Sequence, residues 1–267
     1  MTGWKNYTHL LTKRGRSKDR KFIVEGVRLC REVLLSDWKI ETAFISEDFQ
    51  SSQDWTELHG HLEKKNIPFT ILKNANFKKL SDTEHPQGFA LVIAPPDFET
   101  EDLELNRINF LIILEGIRDP GNLGTIIRSA DWFGAGAVAL SGDCVELYNP
   151  KVIRSTMGSV FHLPVFEVKK LKQFIKKLKE KSFFIIATSV SAEMDLEKCQ
   201  FKKPAALILG GEVQGISSDL QKEADAVVKI RKFGKAESLN VAQAGAIALH
   251  YVANKFSDEI NKLYTKP

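Results

Sequence analysis

The chain has 267 residues, 43% of them hydrophobic and 27% charged, with a formal net charge of +4. That is enough for one or two globular domains whose core closes without disulfides or metals, and no apolar run approaches the length a bilayer-spanning helix needs. The polar N-terminus lacks the apolar core of a secretory signal, and Cys30, Cys144 and Cys199 lie too far apart in sequence for a metal-ligand spacing, which fits reduced thiols in the cytoplasm.

The charge is unevenly spread. Residues 1–21 carry Lys5, Lys13, Arg14, Arg16, Lys18, Arg20 and Lys21 against Asp19 alone. Such a block suits phosphate contacts, although by charge alone a solvated tail is the readier description. Val27, Cys30, Val33 and Leu34 then recur at helical spacing. Ala43-Phe44-Ile45 reads as a short strand, Thr56 to Lys65 as a helix, Phe69 to Leu72 as a strand and Phe89 to Ile93 as a buried strand. Pro95-Pro96 followed by the acidic run Asp97 to Asp102 marks a linker. The expected division is a first domain over 1–96, a linker over 97–107 and a second domain over 108–267.

In the second part, continuous apolar runs predict strands at Phe110–Leu114, Ala137–Leu140, Leu163–Phe166, Phe183–Ala187, Ala206–Leu209 and Val227–Ile230. Helices are predicted at 122–133, about 151–158, 169–180, about 217–223 and 239–256. This alternation predicts an α/β fold, a mostly parallel sheet with helices on both faces. The lysine-rich stretch 169–181 is amphipathic through Leu171, Phe174, Ile175 and Leu178, which suits a solvated helix face.

Three clusters of polar and glycine residues follow predicted strands, where open α/β sheets bind ligands. The first, Asn122 to Arg128, comes after Phe110–Leu114 and the turn Gly116–Gly121. The second, Gly210-Gly211-Glu212-Val213-Gln214-Gly215, comes after Ala206–Leu209; read alone, it is as much a tight turn as a site. The third, Phe233 to Asn240, precedes the last helix. Ser238 is expected to cap that helix, and Asn240 in its first turn to contact a ligand. Gly134-Ala135-Gly136 imitates a dinucleotide fingerprint but follows a helix and enters a strand, the reverse of the required order. No phosphate loop is present, and the histidines and cysteines form no cluster that suggests a metal.

Taken together, these motifs resemble the SpoU/TrmH-type RNA ribose 2′-O-methyltransferases of the SPOUT class, over about residues 108–255. The similar pieces are Asn122-Leu123-Gly124 through Arg128, Asn149-Pro150-Lys151 through Ser159, Leu209-Gly210-Gly211-Glu212 with Gly215, and Glu237-Ser238-Leu239-Asn240-Val241. Lys232-Phe233 stand where the family commonly has Pro-Met. More loosely, Lys13–Lys21, Phe22–Gly26 and His85–Ala90 resemble the family's small ribosomal-protein-like α/β substrate-binding domain.

The resemblance implies a deep trefoil knot, S-adenosyl-L-methionine as cofactor and a homodimer in which both subunits help to form each site. It implies an enzyme that methylates a ribose 2′-hydroxyl, in ribosomal RNA first and transfer RNA as the alternative. A catalytically inactive RNA-binding protein is the rival from another class. By motif position, Asn122, Arg128, Glu212, Ser238 and Asn240 would serve the chemistry, and Thr188, Gly210, Gly211, Ile230 and Leu239 the cofactor. Lys13, Arg14, Arg16, Lys18, Arg20 and Lys21 would contact RNA. A cytoplasmic location follows from the same reading.

Overall fold

A computed structural model describes residues 3–98, 103–200 and 203–256. Residues 99–102 of the expected linker, and 257–267 of the expected second domain, lie outside the described residues. The chain divides into two compact units, Met1–Asp97 with Glu146–His162, and Phe98–Val145 with Leu163–Pro267.

The first unit is built on a four-stranded sheet in the order β1-β4-β2-β3. Its strands are β1 (Phe22–Glu25), β2 (Lys39–Ser46), β3 (Phe69–Leu72) and β4 (Phe89–Ala94). β4 runs antiparallel to both β1 and β2, while β2 and β3 are parallel. Helices α1 (Lys13–Asp19), α2 (Val27–Leu35), α3 (Trp55–Lys64) and α4 (Asn74–Phe77) belong to it, together with a 3-10 segment at Trp4–Leu11. Tyr7, Leu10, Ile23, Phe44, Phe77 and Val92 share one core.

The basic N-terminal stretch is therefore folded. Thr12 caps α1, its Oγ1 accepting from the Gly15 N–H at 3.1 Å. Arg16 is buried, 5% exposed. Its guanidinium donates to both Glu146 carboxylate oxygens at 2.7 and 2.6 Å and to the Leu10 and Leu11 carbonyls, each at 3.0 Å. This corrects the expectation that Arg16 contacts RNA: its donors are used inside the unit. Lys21 is half-buried and paired with Glu41, and Arg20 with Asp97. Lys13, Arg14 and Lys18 are exposed.

Glu146 opens a segment that the sequence reading put in the second domain and that groups by contact with the first unit. The segment includes α6 (Pro150–Thr156), capped by Asn149 and begun by Pro150. Its contacts explain the grouping. Tyr148 stacks on Phe22 with ring centroids 4.6 Å apart, and Phe161 meets Trp38 edge-on at 5.1 Å. Arg154 pairs with Asp82 at 2.9 Å, and His162 faces Glu32 at 3.2 Å.

The second unit carries a seven-stranded sheet in the order β7-β6-β5-β10-β8-β11-β9. The strands are β5 (Phe110–Glu115), β6 (Ala137–Ser141), β7 (Val165–Val168), β8 (Phe184–Thr188), β9 (Met194–Asp195), β10 (Ala205–Gly210) and β11 (Ala226–Lys229). Every pairing is parallel. The central strands are buried along their length, as a sheet covered on both faces requires. Leu111, Ile113, Ile185 and Ile208 point into one core with Phe174 and Leu178 of α7 (Leu171–Glu180) and Leu220 of α8 (Ser218–Glu223). α5 (Pro120–Trp132) packs on α9 (Val241–Lys255). Gly245 admits that contact, since a β-carbon there would lie 3.0 Å from Leu209 and 3.6 Å from Ile126.

Candidate active site

The strand order reverses beside β5. The chain steps outward from β5 to β6 and β7, then returns to build β8 to β11 on the other side, leaving β5 beside β10. Such a switch point opens a crevice at the carboxyl ends of the strands. Because β5, β10, β8 and β11 are mutually parallel neighbours, the segments after Glu115, Gly210, Thr188 and Lys229 all leave from that one edge.

Three side chains from three of these segments form one hydrogen-bonded row. Asn122 Nδ2 donates to Glu212 Oε1 at 2.6 Å, and Asn240 Nδ2 donates to Asn122 Oδ1 at 2.9 Å. Asn240 Oδ1 accepts from the Ala242 and Gln243 N–H groups at 2.9 and 3.3 Å. The direction of the row is fixed from the helix end: backbone N–H groups can only donate, so the Asn240 oxygen faces them, its nitrogen donates to the Asn122 oxygen, and the Asn122 nitrogen is left to face Glu212. Asn240 is thus the N-cap of α9. This corrects the expectation for Ser238, which lies exposed two residues earlier. Asparagine caps as well as serine, and its amide reaches onward to Asn122 as a hydroxyl cannot.

The loops are fastened to one another. Asp119 caps α5, its carboxylate accepting from the Asn122 N–H at 2.8 Å. The Glu115 carbonyl accepts from the Gly211 N–H at 2.8 Å, and its carboxylate from the Ser217 N–H at 2.8 Å. Backbone approaches so closely here that a β-carbon on Gly211 would sit 2.2 Å from the Gly116 oxygen, and one on Gly210 2.1 Å from the Gly215 carbonyl carbon. Thr188, ending β8, donates from Oγ1 to the Ile208 carbonyl at 3.1 Å. Ile230 is half-buried just past β11, and Leu239 is 46% exposed beside Asn240.

Arg128 is not in the row. It is exposed on α5 and makes no ion pair among the described residues. Six residues beyond Asn122, it stands about 9 Å further along the helix axis and about 120° around it. Glu115 and Asp119, which fasten these loops, are positions that the sequence motifs do not include. Asp119-Pro120 is a legible helix start, a cap followed by proline in the first turn; Glu115, at the end of an apolar run, gives no signal. Among the described residues, no three His, Cys, Asp or Glu side chains are grouped to hold a metal ion, and no helix is long and apolar enough to cross a membrane.

Residues 109–250 match the SpoU rRNA methylase family, and residues 4–91 an MRM3-like substrate-binding domain. The chain is 31% identical over 248 residues to the 23S rRNA (guanosine(2553)-2′-O)-methyltransferase RlmP of Bacillus subtilis, covering 93% of this chain and 94% of that protein. Among solved structures, it is similar to the SpoU methyltransferase AviRb from Streptomyces viridochromogenes in complex with AdoMet (TM-score 0.85, 25% identity, 95% of this chain and 97% of that one). It is also similar to an AdoMet-bound rRNA methyltransferase from Sinorhizobium meliloti (TM-score 0.83, 28% identity, 94% of each chain).

Proposed function

The chain belongs to the SpoU rRNA methylase family, and from that premise we propose that it transfers a methyl group from S-adenosylmethionine to a ribose 2′-hydroxyl of ribosomal RNA. The observation that carries the reading is the row Glu212–Asn122–Asn240, three separate loops joined at the crevice of a parallel sheet.

The residues at this edge suit the cofactor: Gly210 and Gly211 pack directly on the Gly215 and Gly116 main chain, where no side chain could stand. Gly210, Gly211, Ile230 and Leu239 would hold S-adenosylmethionine chiefly through main-chain groups, with Thr188 bracing the neighbouring strand. Bound there, it supplies a methyl group already activated on a sulfonium sulfur.

The protein's own task is to align the acceptor hydroxyl and stabilise the alkoxide that develops on it. Asn122, held from both sides, orients the ribose. Glu212 positions Asn122, Asn240 ties the row to the start of α9, and Ser238 shapes the pocket beside it. Arg128 holds the phosphate next to the target ribose and stabilises the developing oxyanion. The first unit binds RNA through the exposed Lys13, Arg14 and Lys18, with Arg20 at their edge. The molecule acts in the cytoplasm as a homodimer whose two copies complete each site, with a trefoil knot threading its C-terminal half. The dimer is supported by apolar surface left open on the α5–α9 pair, where Trp132 is 84% exposed and Ile247 43%.

The test is incubation of the protein with tritiated S-adenosylmethionine and ribosomal RNA, followed by nucleoside analysis. Label on a ribose 2′-oxygen is expected. Label on a base refutes the reaction, and uptake of neither cofactor nor label leaves the RNA-binding reading in its place.

A further inference from the structure

The stretch after β11 contains an arrangement that none of these roles uses. Phe233 is 87% exposed, and the Arg231 guanidinium carbon lies 5.3 Å from its ring centroid. Residues 231–240 are exposed throughout and, apart from the cap at Asn240, belong to no helix or strand. Lys229, Arg231, Lys232 and Lys235 surround the ring in sequence, and no acidic residue occurs from 226 to 236.

A phenyl ring held out in water forfeits nearly all the stabilisation that burial would give it, so packing does not account for it. An aromatic ring interleaved with cations is the combination that captures an unpaired nucleotide. The ring stacks on the base, which every base permits, and the cations meet the flanking phosphates. Arg231 suits both tasks, because its planar guanidinium keeps to the ring face while its edge donors stay open to phosphate oxygens. Phe233 and Asn240 are seven positions apart, so their Cα atoms lie no more than about 25 Å apart even with the chain fully extended. That is within reach of nucleotides adjoining the reacting ribose.

We propose that Phe233, with Arg231 against it, is a stacking platform for an unpaired base next to the methylated nucleotide. The inference rests on the reading of the chain as an RNA methyltransferase and adds a positioning residue to it.

The test uses the whole protein and a single-stranded RNA carrying 2-aminopurine, whose fluorescence falls on stacking. Phe233→Ala is expected to weaken RNA binding on the order of tenfold and abolish the quench, while Phe233→Trp keeps both. Affinity for S-adenosylmethionine, measured by calorimetry, is expected to be unchanged in both variants. Unaltered RNA affinity and quench in Phe233→Ala overturn the proposal. So does a parallel loss of S-adenosylmethionine affinity, which puts the ring against the methyl donor, or a change in sedimentation, which puts it between two copies. If the native protein quenches nothing, the platform falls; methyl transfer, assayed separately, still decides the functional reading.

Discussion

Asn240 does two things with one amide, and they can be separated. Its oxygen caps α9 and its nitrogen holds Asn122. Asn240→Asp keeps an oxygen for the cap but replaces the donor with a second acceptor facing Asn122. Methyl transfer is therefore expected to fall steeply in this variant while urea unfolding stays near native. Asn240→Ala removes both functions and is expected to cost about 1 kcal/mol of stability as well. Native-like activity in Asn240→Asp would mean that the link to Asn122 is idle. Arg128→Ala is expected to abolish transfer and leave affinity for S-adenosylmethionine nearly intact, since the residue stands about 9 Å along α5 from Asn122. Parallel loss of both would make its role structural.

Among the elements, the loop between β10 and α8 tolerates little change. Gly211→Ala would drive a methyl group into the Gly116 carbonyl, so the loop must move and carry Glu212 off Asn122. Loss of both S-adenosylmethionine binding and transfer is the expected result, read by calorimetry and tritium incorporation. Beyond its cap, α1 is anchored through Arg16. Removing one partner of the buried Arg16–Glu146 pair leaves a charge without compensation, which costs about 3–5 kcal/mol. Arg16→Ala should lower the unfolding free energy by that amount, and Arg16→Met with Glu146→Leu should recover most of it. A double variant as unstable as the single would show that the carbonyls of Leu10 and Leu11 need the guanidinium.

On the scale of the whole molecule, the proposed RNA contact is expected to rest on the exposed cations and not on the N-terminal block as a unit. Neutralising Lys13, Arg14 and Lys18 together is expected to make the dependence of log K on log salt shallower by about two, because each phosphate that a cation neutralises on a single strand adds roughly 0.7 to the slope. An unchanged slope would return that surface to the role of a solvated face. If both copies of the dimer build each site, mixing Arg128→Ala protein with Asn240→Ala protein should restore part of the activity that neither has alone. No recovery would put both residues in the site of one chain.

The strands of the second unit other than the two-residue β9, and the three loops that follow them, could be read directly from the chain. A strand covered on both faces is a continuous apolar run, and Phe110–Leu114 and Ala206–Leu209 are such runs, the second leading straight into a glycine. α1 could not be read that way: Lys-Arg-Gly-Arg-Ser-Lys-Asp has no apolar face, and its helix is held by a cap and by a charge pair with a residue 130 positions away. Nor could the allegiance of residues 146–162. Val152, Ile153, Val160 and Phe161 announce that they will be buried, but apolar residues do not state which sheet they will cover. The order of apolar and polar residues determined strands, helices and the place of the ligand crevice, because periodicity and chain direction are local properties. Only the tertiary structure decided that Asn240 and not Ser238 caps α9, that Asn122 is held between Glu212 and Asn240, and that Arg16 turns inward. Each of these depends on which side chain first finds a partner brought from far along the chain, and such a choice leaves no trace in local sequence.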